Sequence, residues 1–143
     1  MALRNPKKHH KGKFNPYPSG VFERYESKVI GNIFLLKPLL ELMNIEDIVD
    51  NICPLTSNRA DISVGETCVA MILNRLNSPR PLYRFEVWAD DVSIIDLLGI
   101  APEQLNDDKL GRCLELLATY SRDIETELCL KLIKDFDIDP NPD

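Results

Sequence analysis

At 143 residues, with a hydrophobic share of 44% and a formal net charge of −6, the chain has the size and composition of one ordinary globular domain. Its most apolar window, Val29 to Met43, is interrupted by Lys37, Pro38 and Glu41, which excludes a membrane span of about 18–20 uncharged residues. The basic N-terminus is followed by no apolar stretch of the kind a secretory signal needs, so a cytoplasmic protein is expected.

The charge is unevenly placed. Residues 1–31 carry seven Lys/Arg against Glu23 and Glu26, a net of +5, and the remainder is left at −11. Residues 1–28 also hold Pro6, Pro16 and Pro18 and few aliphatic side chains. Such a segment buries too little apolar area to offset its ordering entropy. It is expected to form a flexible basic arm, with a short strand near Tyr25 to Ile30. A helical body is expected over residues 29–137 and a frayed tail over 138–143.

Within the body, a helix is expected from near Phe34 to Met43, with Pro38 close to its start because proline fits only the first turn. A short helix follows over Ile45 to Ile52, stopping before Pro54, and Pro54 to Asp61 reads as a loop. Ser63-Val64-Gly65-Glu66 has the pattern of a capping box, in which serine and glutamate side chains each satisfy a free backbone N–H. Val64, Cys68, Val69, Ile72, Leu73 and Leu76 then recur at helical spacing. Asn77-Ser78-Pro79-Arg80-Pro81 ends that helix, and Pro81 suits the first position of the next. That next helix, Leu82 to Asp90, should bury Leu82, Phe85, Trp88 and Ala89. Gly99 reads as a C-terminal stop and Asn106 as the cap of a helix whose first turn holds Asp107 and Asp108. Leu110, Cys113, Leu114 and Leu117 face inward on this reading. Ile124, Leu128, Leu132, Ile133 and Phe136 carry the pattern to about Asp135, on a second helix or a bent continuation. The fold class is all-α: a compact bundle of about five to seven short helices with a candidate helix-turn-helix.

Chemistry-bearing patterns are few. Lys7, Lys8, Lys11 and Lys13 could track DNA phosphates, and engagement of four or five such charges would make log affinity fall with log salt at a slope of about −4. Ser63 to Asp90 has the layout of a helix-turn-helix presenting Arg80 and Arg84, with Arg75 near the same turn. An arginine fork suits guanine edges and phosphates because it donates two bonds at once. Against this, Glu86, Asp90 and Asp91 balance the three arginines, and a helical hairpin with internally paired charges is the plain alternative. Asp107-Asp108 is accounted for by the helix dipole. Asp137 and Asp139 would share one side of an extended terminal segment. Gly111 falls inside a helix, where close approach of another helix is the usual reason for glycine. Cys53, Cys68, Cys113 and Cys129 form no C-x-x-C pair and read as reduced, buried small hydrophobes. His9 and His10 both lie in the arm, so no nucleophilic triad can be assembled. No catalytic residue and no metal ligand is expected.

Two blocks, PRPLYRFEVWADD and LNDDKLGRCLELL, resemble the N-terminal region of insertion-sequence transposases of the DDE type, a region that precedes a ribonuclease-H-like catalytic domain. The resemblance covers about Val29 to Phe136 and rests on Ser63, Asn74 to Leu76, Arg80 to Tyr83, Asn106 to Arg112 and Leu114. It implies a non-catalytic module that binds DNA or element ends, with Lys7, Lys8, Lys11, Lys13, Arg75, Arg80 and Arg84 as the contacting candidates. Divalent metals are implied only for a catalytic domain outside this chain, so no cofactor is expected here. The implied partners are DNA, that catalytic domain and a second copy of the chain. The alternative implied function is a helical self-association or docking domain with little direct DNA contact.

Overall fold

A computed structural model describes residues 28, 30–54 and 62–139. The arm lysines, His9 and His10, most of the Tyr25–Ile30 strand reading and nearly all of the Pro54–Asp61 loop reading lie outside those residues. Among the described residues the structure is all-helical, with α1 (Ile33–Leu42), α2 (Ile45–Ile52), α3 (Val64–Asn77), α4 (Phe85–Asp91), α5 (Ile94–Leu98), α6 (Asp107–Thr119) and α7 (Ser121–Asp135). Two single 3-10 turns, Leu82–Arg84 and Pro102–Leu105, introduce α4 and α6.

The helix starts follow from side-chain caps. Ser63 Oγ accepts the Glu66 N–H at 2.9 Å while the Glu66 carboxylate accepts the Ser63 N–H at 2.6 Å, so the capping box closes as its spacing requires. Asn106 Oδ1 accepts the Lys109 N–H at 3.0 Å and starts α6. Consecutive helices turn sharply through single residues in the left-handed region, Asn44 between α1 and α2 and Ser93 between α4 and α5. Gly99 ends α5 with φ 74°, as its position predicts.

The core gathers around α3. Thr67, Ala70, Leu73 and Asn74 are fully buried there, and α2, α6 and α1 pack against that helix. The α2–α3 approach is close at Gly65, whose N–H donates to Asp50 Oδ1 at 2.6 Å. A second centre forms where Phe85 and Trp88 meet edge-to-face with ring centroids 5.0 Å apart. Trp88 is buried, and its indole N–H donates to Ser78 Oγ at 3.1 Å. Leu105 from the second 3-10 turn and Leu110 from α6 are fully buried in the same core.

Several expectations are corrected. Pro38 is the sixth residue of α1, not part of its first turn. Proline has no N–H, so the Phe34 carbonyl loses its intrahelical donor; both residues are exposed, and water can take its place. Pro81 precedes the 3-10 turn with extended geometry instead of opening a helix. Leu114 is exposed and Leu82 only half-buried. Gly111 has open space where a Cβ would stand, so no neighbouring backbone requires glycine there.

The last helix spans the residues expected for it, Ser121–Asp135, but departs in its burial. α6 and α7 meet at Tyr120 without an intervening loop, and α7 rests mainly on α2. None of its residues is buried. Ile124, Leu128, Leu132 and Ile133 are half-buried, whereas Phe136 is exposed. Asp137 does not continue into an extended segment. It adopts φ 48°, and the Ile138 N–H turns back to the Ile133 carbonyl at 3.0 Å, the six-to-one bond of a Schellman cap. That geometry removes the expected alternation of Asp137 with Asp139.

Candidate nucleic-acid interface

Arg75 lies in the last turn of α3, Arg80 in the connection after it, and Arg84 at the end of the 3-10 turn. All three are exposed. Asp90 and Asp91 lie close in sequence, yet among the described residues none of the three arginines is ion-paired with a carboxylate. Lys28 Nζ donates to the Asp90 carbonyl at 2.8 Å and lies 3.6 Å from its carboxylate, which also places a cation at the negative end of α4. Arg84 lies 5.7 Å from the ring centre of Tyr83, itself 75% exposed, so its guanidinium leans on an aromatic face and stays open to solvent.

The connection that carries Arg80 is held from inside. Asn74 is fully buried on α3, and its Oδ1 accepts the Arg80 N–H at 3.3 Å. Asn77 performs a similar task at the other side, where its Oδ1 accepts the Asn32 N–H at 3.4 Å and Asn32 Nδ2 donates to the Leu76 carbonyl at 3.1 Å. These bonds tie the start of α1 to the end of α3. Between them, Lys28, Asn77, Ser78, Arg80 and Asp91 surround a shallow cleft of about 560 Å³ beside Trp88.

The arrangement is not the expected two-helix reader. Arg80 precedes the 3-10 turn and Arg84 precedes α4, so the two do not sit one turn apart on a single helix. α3 packs chiefly on α2, α6 and α1, whereas α4 packs on the Pro102–Leu105 turn and α5. Of the predicted basic residues among those described, only Arg80 lines the cleft, and it is joined there by Lys28, which the sequence pattern did not single out. Arg75 and Arg84 are exposed outside its lining. Lys7, Lys8, Lys11 and Lys13 lie outside the described residues.

Asp107 and Asp108 are exposed in the first turn of α6, and Asp107 Oδ1 accepts the Asp108 N–H at 3.1 Å. Cys53, Cys68 and Cys113 are buried and free, whereas Cys129 is exposed, contrary to the expectation for that residue. Burial, reinforced by the neighbouring thiols, pushes Cys68 up to about 11 and Cys113 up to about 12. A thiol so reluctant to ionise is a poor nucleophile. The Cys113 S–H instead points at the Val64 carbonyl, 3.7 Å away. Among the described residues no group of His, Cys, Asp and Glu is arranged to hold a metal ion, and no helix is long and apolar enough to cross a membrane.

A family model described as a domain of unknown function, DUF4277, matches residues 25–132, which include α1 to α6 and most of α7. The chain belongs to the DUF4277 family. Neither a curated protein nor a solved structure matches it. Several positions of the two sequence blocks have structural tasks in this DUF4277 domain. Asn106 caps α6, and Lys109 Nζ donates to the Ile62 carbonyl at 2.7 Å across to the start of α3. The side chains of Arg80, Tyr83 and Arg84 are exposed, and the Arg84 guanidinium rests against the Tyr83 ring.

Proposed function

We propose that this DUF4277 domain is the N-terminal module of a DDE-type insertion-sequence transposase and holds DNA without catalysing its cleavage. The observation that carries the reading is the set of three exposed arginines, Arg75, Arg80 and Arg84, none of which is ion-paired with a carboxylate among the described residues. Unpaired surface arginines close in the chain suit phosphate contact, because their forks stay free to donate. The basic arm, Lys7 to Lys13, adds charge of the same sign. The contact is mainly to the backbone, since neither Arg80 nor Arg84 is carried on a helix that could enter a groove. The metal-dependent chemistry of such transposases belongs to a catalytic domain beyond these residues.

The test is duplex binding measured across a salt series. With four or five phosphates engaged, log affinity falls with log salt at a slope of about −4, and each arginine removed lowers that slope by about 0.9. Replacing Arg75, Arg80 and Arg84 together by alanine should flatten it by about 2 to 3 units. No measurable duplex affinity at about 50 mM salt, or an unchanged slope in the triple variant, would refute this interface.

A second reading draws on a different observation. Phe34, Leu35, Leu39 and Leu42 on α1 and Leu130 and Phe136 near the end of α7 are all about half exposed or more. Such faces suit packing against the catalytic domain or a second copy. Sedimentation of the chain alone distinguishes self-association, which shifts with concentration, from a monomer that waits for another domain.

A further inference from the structure

A cleft of about 360 Å³ lies on the body between α1, α2, α3 and α5. Its floor is apolar, with Leu40, Val69 and Ile100 buried and Leu97 and Leu98 half-buried. Its rim is acidic: Glu41, Glu46 and Asp47 are exposed, and Glu66 is half-buried beside them. Among the described residues Lys37 alone brings a positive charge to the lining, and it is already bonded to Glu41. Burial, then repulsion from Glu66, Asp50, Asp47 and Glu41, raises the Glu46 carboxyl above its ordinary range. Carboxylates crowded in this way gain from a cation that settles among them.

The same chain carries a segment of opposite charge. Lys7-Lys8-His9-His10-Lys11-Gly12-Lys13 holds four lysines in seven residues. Between Lys13 and Lys28, where the described body begins and is fastened to Asp90, lie enough residues to span about 50 Å when extended. A domain of this size has a radius of gyration of about 13 Å, so the segment can reach most of its surface.

We propose that the acidic-rimmed cleft is a docking groove for the basic segment Lys7–Lys13 of the same chain. The lysine ammonium groups meet Glu41, Glu46 and Asp47, and their methylene stems lie along the leucines below, the amphipathic division that long basic side chains favour. Tethering raises the local concentration of the segment to the millimolar range, so an individually weak contact suffices. Resting on the DNA-holding reading above, docking also regulates it: the arm shields the cleft carboxylates or tracks phosphates, and duplex and groove compete for the same lysines.

Zero-length carbodiimide cross-linking of the full chain at low salt, followed by peptide mapping, tests the groove without DNA. Lys7, Lys8, Lys11 and Lys13 should link to Glu41, Glu46 and Asp47 at least about threefold more often than to Glu86, Asp107 or Asp108, which are exposed elsewhere, because tethered docking concentrates the lysines at one place. An even spread over all exposed carboxylates would overturn the proposal. Mixing isotopically light and heavy chains separates sources, and links chiefly between light and heavy chains would overturn docking within one chain. The variant Glu41→Gln/Glu46→Gln/Asp47→Asn should lose these links, and Glu66 is left intact because it closes the cap of α3. Because the wild-type pattern is itself decisive, the test survives any folding defect in the variant. Added duplex should then suppress the links. Links that persist beside bound duplex would overturn the DNA role of the arm and leave the docked arm standing.

Discussion

Glycine-to-alanine substitution at positions 65 and 111 should move stability in opposite directions, and the structure supplies the reason for each sign. Gly65 is the second residue of α3, where a Cβ would stand 2.9 Å from Asp50 Cγ and closer still to the Glu46 carbonyl oxygen. The nearest obstacle is backbone of α2, which cannot swing aside as a side-chain tip could. Relief requires α3 to back away, and that stretches the 2.6 Å bond from the Gly65 N–H to Asp50. Overpacking of this kind costs about 1–3 kcal/mol. The gain in helix propensity, at most about 1 kcal/mol in a helix interior, is smaller in a first turn. The net for Gly65→Ala is a loss of about 1–2 kcal/mol. At Gly111 a Cβ meets nothing within 4 Å inside α6, so Gly111→Ala should gain up to about 1 kcal/mol. Urea titration followed by the fluorescence of Trp88, the single tryptophan, separates the two midpoints by on the order of 1 M for a slope of 1–3 kcal/mol/M. A raised midpoint for Gly65→Ala would refute the close α2–α3 approach, and a lowered one for Gly111→Ala would refute the open space at that position.

Other outcomes follow from the caps, the thiols and the buried indole. Ser63→Ala should destabilise the domain by about 0.5–2 kcal/mol through loss of the cap, read as a lower urea midpoint. Asp137→Gly should raise the melting temperature slightly, since glycine enters the left-handed region of the α7 cap without strain. A disulfide reagent near pH 8 should label Cys129 quickly and the three buried thiols only on unfolding. Below about pH 9 both states keep Cys68 and Cys113 protonated. Above it the unfolded thiols ionise while the folded ones, raised to about 11 and about 12, do not, so stability should fall as pH climbs through that window. A flat stability profile from pH 9 to 11 would contradict their burial.

Much of the helical framework could be read in the residue order because its signals are local. Ser63 with Glu66, Asn106 with Lys109, and Gly99 each act within one turn, so the starts of α3 and α6 and the end of α5 fall where the caps lie. What was not legible depends on distance in space. Lys28 meets Asp90 across 62 positions, and no spacing rule announces that pairing. Gly65 and Gly111 look alike in a helical pattern, yet only the first faces another backbone. Ile124, Leu128, Leu132, Ile133 and Phe136 suggested a buried stripe on α7, but burial requires an opposing surface, and α2 is too short to cover a helix of 15 residues. The two-helix reader failed for a backbone reason, since Pro79 and Pro81 hold the connection extended past Arg80 and postpone α4 until Phe85.

That thinly supported last helix has a kinetic consequence. With no side chain of α7 locked into the interior, its detachment exposes far less greasy surface than loss of α3 would. It should therefore open as a separate unit at a fraction of the global unfolding free energy. Amide protons from Ile124 onward should exchange with solvent well before those of α3, and any body that settles on the outer leucines would raise the opening free energy with the logarithm of its concentration once that exceeds its Kd.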